Sequence, residues 1–176
     1  MTTFRRRPAA ARPPLDARRA RTVALDLLAR KPWTRRDLAG RLCRRGAPPD
    51  VADAVVAELE ARGYVDDRAF AAAWAESRAR DRAFGRQRLR QELAGRGVAR
   101  PLVEAAIARA FEETDEVTRA QGAAARRLTV LRRGAPDQVA RRLHDYLRRR
   151  GYSEDVVRQV LRALRRGAVP DEAADP

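Results

Sequence analysis

A nine-residue pattern, Leu-x-x-x-Leu-x-x-Arg-Gly, occurs three times, at residues 38–46, 89–97 and 143–151. Its closing glycines stand 97 − 46 = 51 and 151 − 97 = 54 residues apart. A period near fifty residues marks a modular array, whose units bury their apolar faces by stacking on neighbours. Two leucines four apart share a helix face, and a glycine just beyond them is a helix stop. The register continues past the glycines: five residues on come Val51, Leu102 and Val156, and ten residues on come Val56, Ile107 and Leu161.

The remaining signals are helical too. From Leu15 onward Val23, Ala24, Leu27 and Leu28 share a face until Pro32 ends the segment. Thr34 caps a second helix striped by Leu38 and Leu42, with Asp37 in the capping-box position. A third opens at Pro48, Pro49 and Asp50, carries Val51, Val55, Val56 and Leu59, and stops at Gly63. The second module repeats this grammar. Asp66 and Asp67 suit a helix start, where the macrodipole favours carboxylates. Phe70, Ala73, Trp74 and Ser77 then follow as a core stripe, Leu89 and Leu93 precede Gly97, and Leu102, Val103, Ile107 and Phe111 follow Pro101. The third module runs through Val117, Ala124, Leu128 and Leu131, turns at Gly134 and Pro136, and ends in a helix capped by Ser153.

No stretch alternates with period two long enough for a strand. The expected fold is all-α: three tandem three-helix repeats, at 15–63, 64–112 and 113–167, in an elongated array open to curvature. A basic arm at 1–14 and an acidic tail at 168–176 flank it, both expected to be disordered.

Composition narrows the function. With 44% hydrophobic residues but only 5% aromatic, thin helix-on-helix cores suit the chain better than a thick sandwich. The formal net charge is +15, and 39 − 1 = 38 of the basic residues are arginine, Lys31 being the sole lysine. Such a chain is drawn to polyanions, nucleic acid or acidic protein faces. Cys43 and His144 are the only cysteine and histidine, which leaves no internal disulfide, no transition-metal cage and no Cys-His dyad. No apolar run is long enough to span a membrane, and no phosphate-cradling glycine loop follows a strand. The expectation is a cytoplasmic, monomeric non-enzyme without cofactors or metals.

The arginines form two groups. Arg86, Arg88 and Arg90 surround the start of the fifth helix, against its dipole, which hints at an acidic partner. Arg148, Arg149 and Arg150 lie at the third Arg-Gly, within an outer face that includes Arg141, Arg142, Arg158, Arg162, Arg165 and Arg166. These six at 86, 88, 90 and 148–150 are the candidate contacts to a partner or to DNA. Trp33, Tyr64 and Tyr152 stand beside turns and suit plugs in the joints between helices. Phe84 lies beside Gly85 inside the arginine cluster, where a partner contact is the less favoured role.

Three segments carry a family resemblance. Residues 63–71, Gly-Tyr-Val-Asp-Asp-Arg-Ala-Phe-Ala, resemble the Gly-Tyr-(Leu/Ile)-(Asp/Asn)-Asp-x-x-(Phe/Tyr)-Ala signature of RecX, the bacterial regulatory protein of the RecA recombinase. Residues 85–93 with Arg96, Gly97 and Val98 are similar to its second signature, and residues 142–153 to its third-module ending. The resemblance spans about 20–166. It implies tandem three-helix repeats that lie along the RecA–DNA filament and restrain its extension, ATP hydrolysis, strand exchange and co-protease activity, thereby regulating DNA repair and the SOS response. It implies the RecA nucleoprotein filament as partner, with weak binding to single- or double-stranded DNA alone. The arm and tail match no family feature. The competing reading is a general nucleic-acid-binding helical protein that acts without a recombinase.

Overall fold

The computed structural model describes residues 14–131 and 136–167. The basic arm before Pro14, the turn at Gly134 and the acidic tail fall outside the described residues. Among those described, the structure is nine α-helices and no strand. They are α1 (Ala17–Leu28), α2 (Arg35–Cys43), α3 (Pro49–Ala61), α4 (Asp67–Asp81), α5 (Arg86–Gly95), α6 (Arg100–Ala110), α7 (Glu116–Leu131), α8 (Pro136–Arg149) and α9 (Glu154–Gly167). The chain divides into two compact units, one up to Asp66 and one from Asp67 onward.

The nine-residue pattern is a buried helix end with its stop signal. Gly46 lies at φ +97°, its N–H donating to the Cys43 carbonyl at 2.9 Å while the Ala47 N–H donates to the Leu42 carbonyl at 3.1 Å. This paired closure satisfies carbonyls that a helix end otherwise leaves without a partner. It recurs at Gly97 (φ +79°), with Val98 donating to Leu93, and at Gly151 (φ +84°), with Tyr152 donating to Leu147. All six pattern leucines are buried, as are Ala47, Val98 and Tyr152 after the glycines. Each second leucine thus fills the core while its carbonyl closes the cap.

Helix starts are fixed by side chains as well. Thr34 and Ser153 accept from the N–H groups of Asp37 (3.1 Å) and Val156 (3.3 Å), as their sequence context suggests. Asp16 and Asp115 do the same for Arg19 and for Val117 and Thr118.

In the first unit, α1, α2 and α3 enclose Ala20, Ala24, Leu38, Leu42, Ala52, Val55, Val56 and Leu59. In the second repeat the buried face of α4 is Ala71, Ala75 and Ala79, not the expected Phe70–Trp74 stripe. Alanines four apart let α6 approach closely, with Val103, Ala106, Ile107 and Ala110 buried opposite. The wider Phe70 and Trp74 are displaced to the flank, where their rings stack at 5.6 Å and are only half-buried. The third repeat packs Ala120, Ala123, Ala124, Leu143, Leu147, Tyr152, Val157 and Val160. Of the three expected joint plugs, Tyr152 is fully buried and Trp33 is half-buried, its indole N–H donating to the Leu27 carbonyl at 3.1 Å. Tyr64 is 58% exposed and plugs nothing: its backbone N–H closes the Gly63 cap while its ring points to solvent.

Candidate functional site

The second and third repeats meet end to end within the second unit. The N-terminus of α5 abuts the C-terminus of α8: Gly85 N–H donates to the Arg150 carbonyl at 2.8 Å and Gln87 N–H to the Gly151 carbonyl at 3.1 Å. The two chain segments touch through glycine. A Cβ on Gly85 would stand 2.6 Å from the Gly151 oxygen, and one on Gly151 would stand 2.3 Å from the Arg88 nitrogen. Ala83, just before this contact, is held at φ +50° with its methyl group in the third repeat's core. Orphan N–H groups at the start of one helix are therefore satisfied by orphan carbonyls at the end of another, which sets the positive end of one dipole against the negative end of the other.

The six candidate arginines part company here. The N–H of Arg86 donates to Glu116 Oε1 at 2.9 Å, its guanidinium lies 3.5 Å from Glu116 Oε2, and it stacks 4.7 Å above the Phe111 ring. The carboxylate that the α5 N-terminus called for thus comes from this chain's own α7, not from an outside partner. Arg90 forms a two-pronged pair with Glu104 of α6, at 2.7 and 2.9 Å. That hydrogen bonding holds the Glu104 carboxyl below the usual carboxylate range and raises the Arg90 guanidinium. Both arginines are engaged in joining helices.

The other four are brought together. Arg88, Arg148, Arg149 and Arg150 line a cleft of about 510 Å³ with Phe84, Gln87, Gln91 and Gly151. Most are held in place: Arg88 by Glu92 one turn on (3.0 Å), and Arg148 by the Tyr152 carbonyl (2.7 Å) with Glu154 at 3.5 Å. Arg150 donates to the Arg82 carbonyl and lies 4.9 Å above Tyr146. The Phe84 ring is flanked by Arg88 and Arg150 at 5.5 and 5.9 Å. Arg149 is exposed and forms no ion pair among the described residues. No carboxylate lines the cleft.

Gln87, Gln91 and Glu116 have no sequence feature that marks them as contacts, and Phe84 is marked only by its place beside Gly85 within the arginine cluster. Nothing local signals that residues near 85 and 150 face each other. His144 lies outside the cleft, its Nε2 3.3 Å from both Glu154 oxygens. Among the described residues, no three His, Cys, Asp or Glu side chains gather as a metal site would require, and no helix is long and apolar enough to cross a membrane.

Comparison with known proteins matches the first two repeats one by one. Residues 20–59 match RecX, first three-helix domain, and residues 66–107 match RecX, second three-helix domain. The regulatory protein RecX of Streptomyces lividans is 39% identical over 151 residues, 85% of this chain and 80% of its own length. That of Thermobifida fusca is 40% identical over 145 residues, 82% of this chain and 77% of the relative. The crystal structure of RecX from Lactobacillus salivarius superposes with a TM-score of 0.72 at 15% identity, covering 85% of this chain and 97% of that one, a likeness of fold. With two in five residues shared across most of its length, and with the first two three-helix domains matched in the same order, this chain belongs to the RecX family of regulatory proteins.

Proposed function

We propose that this protein is a non-catalytic modulator of the RecA recombinase, acting as an inhibitor. In this reading it binds the RecA–DNA filament and restrains filament extension, ATP hydrolysis, strand exchange and co-protease activity. It would thereby act in DNA repair and the SOS response, in the cytoplasm and as a monomer. The observation that carries the reading is the likeness to RecX regulatory proteins over 85% of the chain. The basic balance of +15 supports a polyanionic target, because a filament of protein and DNA presents phosphates to be met by arginine. Repeats that each contribute weak contacts gain strength by acting together.

The test is the ATPase rate of RecA on single-stranded DNA with sub-stoichiometric amounts of this protein. The expected outcome is a lowered rate and shorter filaments. An unchanged rate, filament length and strand-exchange yield would sink the proposal. The arginine-lined cleft, free of carboxylates, also favours a second reading, a nucleic-acid-binding protein acting without recombinase. That reading expects tight, steeply salt-dependent DNA binding together with no effect on RecA.

A further inference from the structure

We infer that the cleft between the second and third repeats is a binding site for single-stranded nucleic acid, taking one phosphate and the base attached to it. The inference rests on the reading that DNA is among this protein's partners, and it divides the arginines: the cleft serves DNA, while Arg86 and Arg90 serve the fold. Its lining carries the two chemistries a nucleotide needs. Arg149, exposed and without an ion pair among the described residues, supplies a guanidinium that can grip phosphate oxygens in two-pronged fashion. Arg148 and Arg88 are already oriented by Glu154 and Glu92, so their remaining N–H donors can be offered with little further loss of side-chain freedom.

The uncharged part of the lining chooses between occupants. Gln87 and Gln91 lie one helical turn apart, both exposed, on the face of α5 that borders the cleft. Each carboxamide offers donor and acceptor side by side, the pattern a base edge presents and a peptide carboxylate does not. The guanidiniums of Arg88 and Arg150, ranged about the half-buried Phe84 ring, add flat surfaces on which a base can stack. An acidic side chain engages the arginines alone, whereas a nucleotide engages the arginines, the glutamines and a stacking surface together. A duplex keeps its bases paired and stacked, so a cleft of this lining favours an unpaired strand.

The experiment is fluorescence anisotropy of a labelled oligothymidylate with the full chain at several salt concentrations, no recombinase being present. Arg149→Ala is expected to weaken binding about tenfold at low salt and to flatten the log–log salt slope by about 0.7, one phosphate contact on a single strand. Gln91→Ala is expected to weaken binding severalfold with the slope unchanged, because a base-edge contact releases no counterion. Arg18→Ala, which removes an equal charge from α1, is expected to change affinity less than twofold. Three results would overturn the inference: Arg149→Ala and Gln91→Ala both binding like wild type, Arg18→Ala losing as much as Arg149→Ala, or polyglutamate competing as well as an unlabelled strand. Circular dichroism melts of each variant keep a folding defect from passing as a binding defect. Because RecA is absent, failure here leaves the RecA ATPase result standing, and failure there leaves this one standing.

Discussion

Glycines that look interchangeable in the repeated pattern answer to different constraints. Gly46 and Gly151 both close a helix with a left-handed residue, where an L side chain is strained. A Cβ on Gly46 would meet nothing within 4 Å, whereas one on Gly151 would run into the backbone of Arg88. Gly46→Ala should therefore cost about 1 kcal/mol of unfolding free energy, the conformational penalty alone. Gly151→Ala should cost more than about 3 kcal/mol, because the repeats must separate to admit the methyl group. Urea melts of both variants check this, and equal costs would show the glycine contact to be unimportant. The residue after Gly151 allows a second test. Tyr152 is fully buried, its hydroxyl finds no hydrogen-bond partner among the described residues, and burial pushes its pKa up to about 12. Removing a buried hydroxyl that has no partner relieves a desolvation penalty, so Tyr152→Phe should leave the melting temperature unchanged or raised. A loss of several degrees would reveal a partner for that oxygen.

At the scale of elements, helix ends prove more informative than helix faces. The cap at each repeat was legible because its chemistry is local: a leucine, its carbonyl and a left-handed glycine lie within five residues. The buried face of α4 is not legible in this way, because Phe70 and Trp74 stand four apart as a core stripe would, whereas close helix packing selects the alanines. The cleft could not be read from the sequence at all. Arg86, Arg88 and Arg90 look alike in the chain, and only their distant neighbours Glu116 and Glu104 set two of them apart. Glu116 carries the α5–α7 junction through two contacts, one to a side chain and one to the Arg86 backbone N–H. Arg86→Ala removes the first together with the Phe111 stacking and leaves the second, so Glu116→Ala introduced into an Arg86→Ala background should still cost about 1 kcal/mol, with a helix-end N–H left without its acceptor. A double-mutant cycle measures this directly. No further cost of Glu116→Ala in the Arg86→Ala background would mean that the backbone bond contributes nothing.

For the whole molecule the governing quantity is a formal charge of +15, restrained by carboxylates tied into local pairs. Hydrogen bonds from Arg21 to Glu58, from the Ser77 hydroxyl to Asp81, from Arg90 to Glu104 and from Thr118 to Asp115 each hold a carboxyl below its ordinary value. A carboxyl whose folded pKa is depressed contributes stability above its unfolded value, near 4, and that stability is lost as pH falls through the folded value. Protonation acts twice in this chain. It removes contacts such as the Arg90–Glu104 pair, and it lifts a net charge that is already strongly positive, so that self-repulsion opposes the compact state. Added salt has opposite effects at the two ends of the range. Near pH 7 it screens exposed ion pairs as well as the repulsion, and the two changes offset each other. Once pH has fallen below the depressed folded values of these carboxyls, few pairs survive to be weakened, and screening of the repulsion should dominate. Melting temperatures should therefore respond weakly to salt at neutral pH, fall as pH drops below about 4, and recover by several degrees with added salt at the acid end. Thermal melts across a grid of pH and sodium chloride concentration test this, and a salt response of the same sign and size at both pH values would show that self-repulsion does not limit the stability of this fold.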